Sequence, residues 1–593
     1  MNRGFRRLLA PHPGWVALAA FASFFLALGS VALFDLDEGA FTAATWEMSE
    51  RGSYWFTYLN GEPRFDKPIF SYWMQALSVA TLGADEWSYR LPSAVAATLW
   101  VVLVVRFVRE FFDRTSAVLA GVVLAGMLAV SVIGRAATAD AWLNLFLTGA
   151  MLSAWRFHAY FDADPAATRR IALWTYAFMG LGFLTKGPVA VVVPVAVMVL
   201  FWASLPLRFG SSAPVAARSW RWEDGWQRFK AALWQPMGWA LFVAIVGPWY
   251  AIAIALEGWA FIDGFFLTHN LSRYTETFES HGGHLAYYVL ALPLIVLPFT
   301  AWLIPVVRRA PRDLKATGLM RWLWLWFGFV FVFFSFSNTQ LPHYLLYGIV
   351  PVAILIARAR HGVDGRLGAL WAILPLLALV SLFLALPAIV AGVDLAEQRP
   401  LVAAQLAHAQ KRLAETSMTV PLLVAIILIV LAWWMRNKVW RLLLVLGLLQ
   451  ASLLALWLAP LAAEIRQAPV RDLAQMSRVL APPERAVLTQ WGINEFRSAI
   501  TYRRALIPER YPEPGEWGLT TVAGFERWQS ETRQPALIAA QRAEFVLVYA
   551  CRAPRTGSTL QQADDGATSI PGGDSSLNAS ARNVLPATGS GCP

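Results

Sequence analysis

Long apolar runs recur along most of this chain, and they limit its fold more than any other feature. The stretch 367–392, for example, contains no charged residue, and about 20 apolar residues are enough for a helix to cross the hydrocarbon core of a bilayer. Hydrophobic residues make up 57% of the chain and charged residues 15%, whereas a soluble protein usually carries about 25% charged residues. We therefore expect a polytopic α-helical membrane protein.

The apolar runs predict about thirteen transmembrane helices, each close to the length that crosses a bilayer. The predicted spans are 14–34, 90–108, 115–133, 137–156, 171–185, 187–205, 236–256, 285–307, 321–337, 342–357, 367–392, 419–435 and 439–460.

Basic residues predict the orientation of these spans. Arg3, Arg6 and Arg7 precede the first span, and every second loop after it also carries a cluster of arginine or lysine. Because cytoplasmic loops are enriched in these residues, we expect a cytoplasmic N-terminus. The basic residues in short loops between spans then account for the formal net charge of +11. We therefore do not expect nucleic acid as a partner.

The polarity of the remaining segments predicts how the chain is divided. We expect a transmembrane domain over 1–460, whose first outer loop, 35–89, contains interfacial helices. An outer α/β domain is expected over 461–552 and a disordered tail, rich in Gly, Ser, Thr and Ala, over 553–593.

The outer domain is predicted from short apolar segments. Residues 486–490 and 545–550 are typical of strands, and the stretch RSAITYRRALIPERY between them is expected to hold a strand and a loop. The two cysteines, Cys551 and Cys592, lie in this part of the chain, and an oxidising outer compartment would permit a disulfide between them.

Carboxylates follow the first span directly. The sequence VALFDLDE at 31–38 places Asp37 and Glu38 at the outer end of that span, just above the bilayer. One interpretation is structural, because an acidic pair interacts favourably with the N-terminal dipole of the helix that follows. The other is that the pair belongs to a charged functional site at the membrane surface.

A second charged group lies further along the same loop. Arg64, Asp66 and Lys67 fall within four residues, directly before a proline. A lone lysine here would most simply extend its ammonium group to the membrane interface. The clustering of these charges with carboxylates in one outer loop favours a functional site instead.

The outer segment 258–284 is comparably polar and contains His269, Arg273 and the pair His281-x-x-His284. The histidine pair is a weak metal-binding signal. His269 is either a metal ligand together with a carboxylate of the first loop or a hydrogen-bonded interfacial histidine.

A third outer segment is the tight turn before the predicted span 342–357. It places His343 and Tyr344 at the outer membrane boundary. Tyrosine is also common at that depth simply as part of the interfacial aromatic belt.

Taken in order, these segments resemble the GT-C membrane glycosyltransferases. They are most similar to the bacterial branch that includes the lipid A aminoarabinose transferase, and to the wider dolichyl-phosphate-mannose-protein mannosyltransferase-like family. The resemblance covers residues 30–360 and is weaker beyond them. The matching residues are Asp37-Glu38, Phe65-Asp66-Lys67-Pro68, Tyr72-Trp73, Arg90, Asp140, Leu184-Thr185-Lys186-Gly187, His269, Arg273 and Ser337 through Tyr344.

The resemblance implies a GT-C fold and the transfer of a sugar from a polyprenyl-phosphate donor of the undecaprenyl type. The acceptor, a lipid, a glycan or a protein, would be met at the periplasmic face of the bacterial inner membrane, among membrane lipids. No nucleotide cofactor is implied, the C-terminal domain is expected in the periplasm, and the chain is expected to act as a monomer.

The resemblance also implies roles for individual residues. Asp37, with Glu38 beside it, would be the general base of an inverting reaction, and positive charge would stabilise the departing lipid phosphate. The residues expected to bind that phosphate are Lys67, Arg273, Tyr344, His343 and Arg64. Asp66 and His269 are the candidate ligands of a divalent metal cation.

The chain departs from the aminoarabinose-transferase pattern just after Glu38. That family usually has a basic and an aromatic residue followed by Ala-Glu, whereas Gly39, Ala40, Phe41 and Thr42 stand here. The residue before Lys67 is likewise aspartate where the pattern has glutamate. The sugar and the acceptor therefore stay open.

Two other classes of protein are alternatives. A transporter or flippase would place charged residues inside spans near the midplane of the bilayer, whereas the charges here cluster at the outer boundary. An assembly protein would use the outer loops only to bind partners, and its carboxylates would not be needed for turnover.

Overall fold

The structure, a computed structural model, describes residues 10–162, 165–205, 222–272, 284, 286–316, 318–364, 367–394, 400–493 and 496–552. Within these ranges the chain divides into two compact units. The first unit falls within Met1–Val31, Ala44–Leu386 and Ser417–Pro460, and the second within Ala32–Ala43, Pro387–Thr416 and Leu461–Pro593. The second unit thus includes two segments that the sequence assigned to the transmembrane domain.

Helices make up most of the described chain. Helices α1 to α24 are, in chain order, Pro13–Ala20, Asp37–Glu50, Phe70–Leu82, Glu86–Phe111, Arg114–Gly126, Leu128–Arg135, Asp140–Tyr160, Pro165–Lys186, Val189–Ala203, Trp222–Leu233, Pro236–Glu257, Trp259–Ile262, Tyr287–Ile295, Leu303–Lys315, Leu319–Ser335, Ile349–Arg358, Gly368–Ala391, Pro400–Glu415, Thr419–Met435, Leu442–Leu453, Ala459–Arg466, Ala468–Leu480, Ser498–Arg503 and Val522–Thr532.

Tighter and wider helical turns connect some of these helices. The π-helical turns are Phe21–Phe25, Asp263–Ser272 and Leu454–Leu458, and the 3₁₀ turns are Thr300–Trp302, Pro342–Gly348, Arg360–Val363 and Val439–Arg441. Strands β1 to β6 are Tyr58–Leu59, Glu62–Pro63, Leu488–Gln490, Trp517–Thr521, Ala536–Arg542 and Phe545–Ala550.

Several helices of the described chain are long and apolar enough to cross a membrane. Glu86–Phe111, Pro236–Glu257, Gly368–Ala391 and Val439–Arg466 qualify singly, and three bent pairs raise the number to seven. In one pair, α5 and α6 meet at an angle of 67° because Met127 between them takes an extended conformation. The polytopic helical fold is as predicted, whereas the count of thirteen spans stays a prediction.

The first apolar helix ends earlier than the sequence predicts. After the π-helical turn Phe21–Phe25, Leu26 takes an extended conformation with ψ 117°. Two arginine side chains then bind the carbonyl groups that follow: Arg135 Nη2 donates to Leu26 O at 2.8 Å, and Arg90 Nη1 donates to Val31 O at 2.7 Å. Because buried carbonyl groups need hydrogen-bond donors, these guanidinium groups allow the chain to leave the helix inside the protein.

Small residues bring two helices of the first unit into close contact. A Cβ atom added to Gly126, at the end of α5, would lie 2.6 Å from the Cα atom of Gly447 in α20. Any larger side chain would therefore separate the two backbones. Close approach at small residues is a common way for helices in membranes to pack, since dispersion contacts replace the hydrophobic effect there.

A four-stranded mixed sheet forms the centre of the second unit. Its strand order is β3-β4-β6-β5; β3 pairs with β4 in parallel, and the other pairs are antiparallel. The core on this sheet contains Trp491, Phe525, Trp528 and Val548. The expected strand within RSAITYRRALIPERY is wrong, because the structure places helix α23, Ser498–Arg503, there.

Helix α2 follows the first apolar helix and carries the predicted acidic pair at its start. The sequence predicts that this helix lies at the membrane interface, yet most of its residues from Glu38 to Met48 are buried. The threonines Thr42 and Thr45 are fully buried with it. The position of α2 at the membrane interface stays a prediction.

Candidate active site

A cavity of about 460 Å³ lies in the first unit, and it contains most of the site residues predicted for that unit. Its wall is formed by the loop between α2 and α3, the end of α8, the start of α9, the turn Asp263–Ser272, and the end of α15 with the turn after it. We call it the cationic cavity, and its lining residues are Asp66, Lys67, Lys186, Pro188, Val189, Val192, Phe266, His269, Phe333, Phe334, Ser337, Tyr344 and Tyr347.

Asp66 lies between two cations at one side of this cavity. Its Oδ2 atom is 2.5 Å from Arg64 Nη2, and its Oδ1 atom is 2.7 Å from Lys67 Nζ. Burial acts to raise the pKa of Asp66, but the charges of Lys67 and Arg64, with a smaller contribution from His269, hold that pKa well below its usual range. Asp66 is therefore ionised, and it fixes both cations in place.

A second ion pair joins Lys186, which lines the cavity, to Asp140. Lys186 Nζ is 2.6 Å from Asp140 Oδ1, and both side chains are about nine-tenths buried. The Lys186 ammonium also lies 5.8 Å from the ring centroids of Tyr344 and Tyr347, a distance at which a cation is attracted to an aromatic face.

Local sequence explains how this pair is held. Asp140 opens α7 and Lys186 closes α8, so each charge has the sign that the dipole of its own helix end favours. Gly187 then ends α8 with φ +80°, and a Cβ atom there would lie 2.7 Å from the ring of Phe265. Only glycine allows the chain to turn this closely behind the lysine.

The cavity combines an excess of positive charge with apolar walls. Arg64, Lys67 and Lys186 are basic, against the two carboxylates Asp66 and Asp140. The other walls include Val192, Phe266 and Phe334, among further apolar residues. Such a cavity suits a ligand with an anionic group beside an apolar chain, because the charges neutralise the anion and the walls bury the chain.

The predicted acidic pair belongs to the second unit. Asp37 opens α2 with its side chain exposed, whereas Glu38 is buried, and its Oε2 atom accepts a hydrogen bond from Phe34 N at 2.8 Å. The two carboxylates are therefore not equivalent. Glu38 binds the backbone just before the helix, whereas the Asp37 side chain is open to solvent.

The other predicted site residues are placed as follows. Lys67, Asp66, His269 and Tyr344 line the cationic cavity, and Arg64 adjoins it through Asp66. The ring of His343 lies 4.9 Å from that of Tyr344. Arg273 and His281 lie outside the described residues.

Lys186, Asp140 and Tyr347 were missing from the predicted site, although the first two belong to motifs that carried the family resemblance. The available signals were a lysine before Gly-Pro at the end of an apolar run and a lone aspartate at the start of another. Neither signal shows that the two side chains meet.

The expected metal ligands are only two in number. Asp66 and His269 both line the cavity, but each oxygen of Asp66 already contacts a basic side chain. Within the described ranges, no group of three histidine, cysteine, aspartate or glutamate side chains is arranged to hold a metal ion. A cation here would need further donors from a ligand or from elsewhere in the chain.

Comparisons with known proteins identify related sequences and a related fold. A family model described as dolichyl-phosphate-mannose-protein mannosyltransferase matches residues 66–217. The crystal structure of ArnT from Cupriavidus metallidurans bound to undecaprenyl phosphate superposes with a TM-score of 0.72 at 20% identity, covering 90% of this chain and 98% of that chain. This likeness shows the fold.

Curated relatives match a large part of the chain. The undecaprenyl phosphate-alpha-4-amino-4-deoxy-L-arabinose arabinosyl transferase of Aeromonas salmonicida is 28% identical over 351 residues, which are 58% of this chain and 59% of that protein. An uncharacterized protein of Aquifex aeolicus is 28% identical over 345 residues, which are 58% of this chain and 71% of that protein. The matched region thus spans less than two thirds of the first of these relatives.

The chain has the fold of the ArnT structure, and residues 66–217 match the mannosyltransferase family model, as the motifs of its sequence predict. Its sequence is similar to those of the aminoarabinose transferases.

Proposed function

We propose that this protein transfers a sugar from a polyprenyl-phosphate donor to an acceptor at the periplasmic face of the bacterial inner membrane. The observation that carries the proposal is the cationic cavity, in which Lys67 and Lys186 face apolar walls. A polyprenyl-phosphate sugar is a phosphodiester on an apolar chain, so its charge and its lipid match the two halves of this cavity.

The donor phosphate is proposed to bind between Lys67 and Lys186, near the hydroxyl of Tyr344. Positive charge at this place has a specific role, because negative charge builds up on the phosphate as the bond to the sugar breaks. Asp66 and Asp140 keep the two ammonium groups in position before the donor arrives. Fixed charges of this kind need little rearrangement during the reaction. Arg273 and His343 remain further proposed contacts.

The proposed reaction is a single displacement. An acceptor oxygen attacks the anomeric carbon, the bond from that carbon to the phosphate oxygen breaks, and polyprenyl phosphate leaves with the electron pair. The acceptor proton passes to Asp37, the exposed carboxylate at the start of α2. Direct attack inverts the configuration of the anomeric carbon.

Other parts of the proposal concern groups around this reaction. Asp66 and His269 would hold a divalent cation, which would supply additional positive charge in the cavity. The names of the relatives make 4-amino-4-deoxy-L-arabinose the first sugar to test, and a lipid, a glycan and a protein are the acceptor classes to test.

We propose a monomer with a cytoplasmic N-terminus. The transporter alternative is not favoured, because the characterised relatives that match this chain are arabinosyl transferases.

The test is a transfer assay on the full chain in lipid nanodiscs. Undecaprenyl-phosphate donors carrying 4-amino-4-deoxy-L-arabinose or mannose, labelled in the sugar, are incubated with a bacterial membrane extract and wild type or Asp37→Asn. We expect labelled product with wild type and a loss of about 10²–10⁴-fold with Asp37→Asn, the range for removal of a general base.

Glu50→Gln is the matched control, because Glu50 is an exposed carboxylate at the other end of the same helix. It should transfer at the wild-type rate. Wild type that transfers sugar from neither donor to any acceptor, while remaining folded, would overturn the proposed function. Equal rates for wild type and Asp37→Asn would overturn the role of Asp37 alone.

A further inference from the structure

In the second unit, polar contacts join the segment before and within α2 to helix α23, although the two are far apart in sequence. Leu33 N donates to the Tyr502 hydroxyl at 2.8 Å, and the hydroxyls of Thr42 and Thr501 are 3.1 Å apart. These contacts lie on either side of Asp37 and involve the first and last parts of the segment 33–42.

Asp35 makes the central contact of this group. Its Oδ1 atom accepts a hydrogen bond from Ser498 N at 2.9 Å, and its Oδ2 atom accepts one from the Ser498 hydroxyl. One carboxylate therefore binds both the backbone and the side chain of the first residue of α23. We call this arrangement the Asp35–Ser498 clamp.

Gly39 is the residue that makes the clamp sterically possible. A Cβ atom added there would lie 1.6 Å from Asp35 Oδ1 and 2.6 Å from Ser498 N. Both distances are far below van der Waals contact, so any other residue would displace the carboxylate or the helix. The first turn of α2 is thus packed directly against the clamp.

Asp37 lies between Asp35 and Gly39, and its own side chain is exposed. An exposed carboxylate on a flexible segment would sample many positions, and a displacement of about 1 Å can cost about 10²-fold in rate. A catalytic carboxylate therefore needs a fixed backbone beneath it. The clamp before Asp37 and the contact of Thr42 with Thr501 after it supply fixed points on both sides of Asp37 in sequence.

We propose that Asp35 is a positioning residue, which binds Ser498 and thereby holds the start of α2 so that the Asp37 carboxylate keeps one orientation during transfer. This inference rests on the proposed function and assigns the structural support of its general base. Asp35 itself touches neither donor nor acceptor in this proposal.

The surroundings of Asp35 shift its pKa, so the effect of the clamp can also be measured as a function of pH. Burial raises the pKa of Asp35 to about 7, with Glu38 adding to the rise and the Ser498 hydrogen bonds and Arg466 opposing it. Glu38 lies on the same segment, Ser498 begins α23, and Arg466 ends α21. The clamp carboxyl thus changes its charge near neutral pH, while an asparagine in its place would not.

The test compares wild type with Asp35→Ala, Asp35→Asn and Asp472→Ala in nanodiscs. Asp472 is a carboxylate of the same unit that pairs only with its neighbour Arg471 among the ion pairs described, so Asp472→Ala is the matched control. Two quantities are measured: hydrogen–deuterium exchange of residues 32–43, and kcat and KM for the polyprenyl-phosphate donor between pH 5 and 9.

Asp35→Ala should increase exchange of residues 32–43 and lower kcat by about 10–100-fold, with the donor KM changed less than about twofold, since donor binding is assigned to other residues. Asp35→Asn should keep exchange at the wild-type level and retain most of kcat. The asparagine amide oxygen still accepts a hydrogen bond from Ser498 N, and its amide NH₂ group can donate one to the Ser498 hydroxyl. Asp35→Asn should also remove a step in kcat near pH 7. Asp472→Ala should match wild type.

A further variant guards against misfolding of Asp35→Ala. Ser498→Ala removes the hydroxyl bond but keeps the backbone bond, so it should give a smaller change in the same direction. The positioning role is overturned if Asp35→Ala leaves exchange and kcat unchanged, or if Asp35→Asn is as impaired as Asp35→Ala. If wild type transfers no sugar, the proposed function fails, and exchange alone then decides whether the clamp exists.

Discussion

Two regions of this protein hold aspartates in opposite ways. In the cationic cavity, Asp66 contacts Arg64 and Lys67, and charge attraction outweighs burial, so its pKa lies well below the usual range. In the Asp35–Ser498 clamp, Asp35 accepts hydrogen bonds from a neutral amide and a neutral hydroxyl, and burial raises its pKa to about 7. The same type of side chain is ionised at neutral pH in one place and changes its charge near pH 7 in the other.

The difference follows from what each carboxylate is paired with. A buried carboxylate remains ionised when full positive charges compensate for its lost hydration, and it can then hold those charges ready for an anionic ligand. Neutral donors give less compensation, but they are directional and can fix a backbone. Charge pairing is therefore suited to binding a phosphate, and neutral hydrogen bonding is suited to positioning.

The largest expected effect tests charge pairing in the cavity. Asp140→Ala leaves the nearly buried Lys186 ammonium without its carboxylate, and removal of one partner of a buried pair typically costs about 3–5 kcal/mol of stability. The double variant Asp140→Ala with Lys186→Met should recover part of this loss, because no uncompensated charge remains. Thermal unfolding in detergent measures both. A double variant less stable than Asp140→Ala would show that charge pairing does not govern this region.

A smaller effect, on the rate of transfer, is expected when the cavity loses a positive charge that is proposed to bind the donor phosphate. Lys67→Ala should lower kcat/KM for the lipid donor by about 10²–10³-fold, the usual cost of losing one group that stabilises developing negative charge. Lys67→Arg should keep a substantial part of the wild-type kcat/KM, since the positive charge is retained. Lys230→Ala, at an exposed lysine of α10, serves as the control. Donor kinetics unchanged in Lys67→Ala would remove Lys67 from the site.

The effect that is smallest per step of the experiment, a gradual change with pH, tests the comparison of the two carboxylates directly. Asp66 has a lowered pKa, so the stability it contributes is present above the unfolded pKa of about 3.9 and is lost as the pH falls below it. Asp35 has a raised pKa, so its contribution is present below about 3.9 and is lost as the pH rises towards 7. Each group changes stability by at most about 1.4 kcal/mol per pH unit.

Melting temperatures from pH 3 to pH 8 test these signs. The difference between wild type and Asp66→Asn should shrink in acid, and that between wild type and Asp35→Asn should turn against wild type as the pH rises from 4 to 8. The same sign for both variants would mean that the two carboxylates are not held differently.

The periodic elements of the fold were predictable from sequence. The apolar runs gave helices such as Glu86–Phe111 and Pro236–Glu257 within a few residues, and the predicted strand 545–550 is β6. Hydrophobic length and alternation are local properties, so they can be seen in a single segment. The early end of the first helix could not be seen locally, because it depends on Arg90 and Arg135, which come from other helices.

The site residues divide in the same way. Lys67, Asp66, His269 and Tyr344 could be selected because they are polar groups at the outer ends of apolar runs, and all four line one cavity. Lys186 and Asp140 were equally visible, but their pairing over 46 positions was not. Likewise, nothing near VALFDLDE indicates that Asp35 binds a serine 463 residues later.

The sequence by itself thus determined that this is a helical membrane protein with charged groups above its first spans, since burial of apolar length in a bilayer is a property of each segment. Only the tertiary structure decided which carboxylate stays charged, which titrates near neutral pH and which is exposed for chemistry. The physical reason is that a pKa depends on the groups packed within a few ångströms of the carboxylate, and in this protein those groups are brought there by folding.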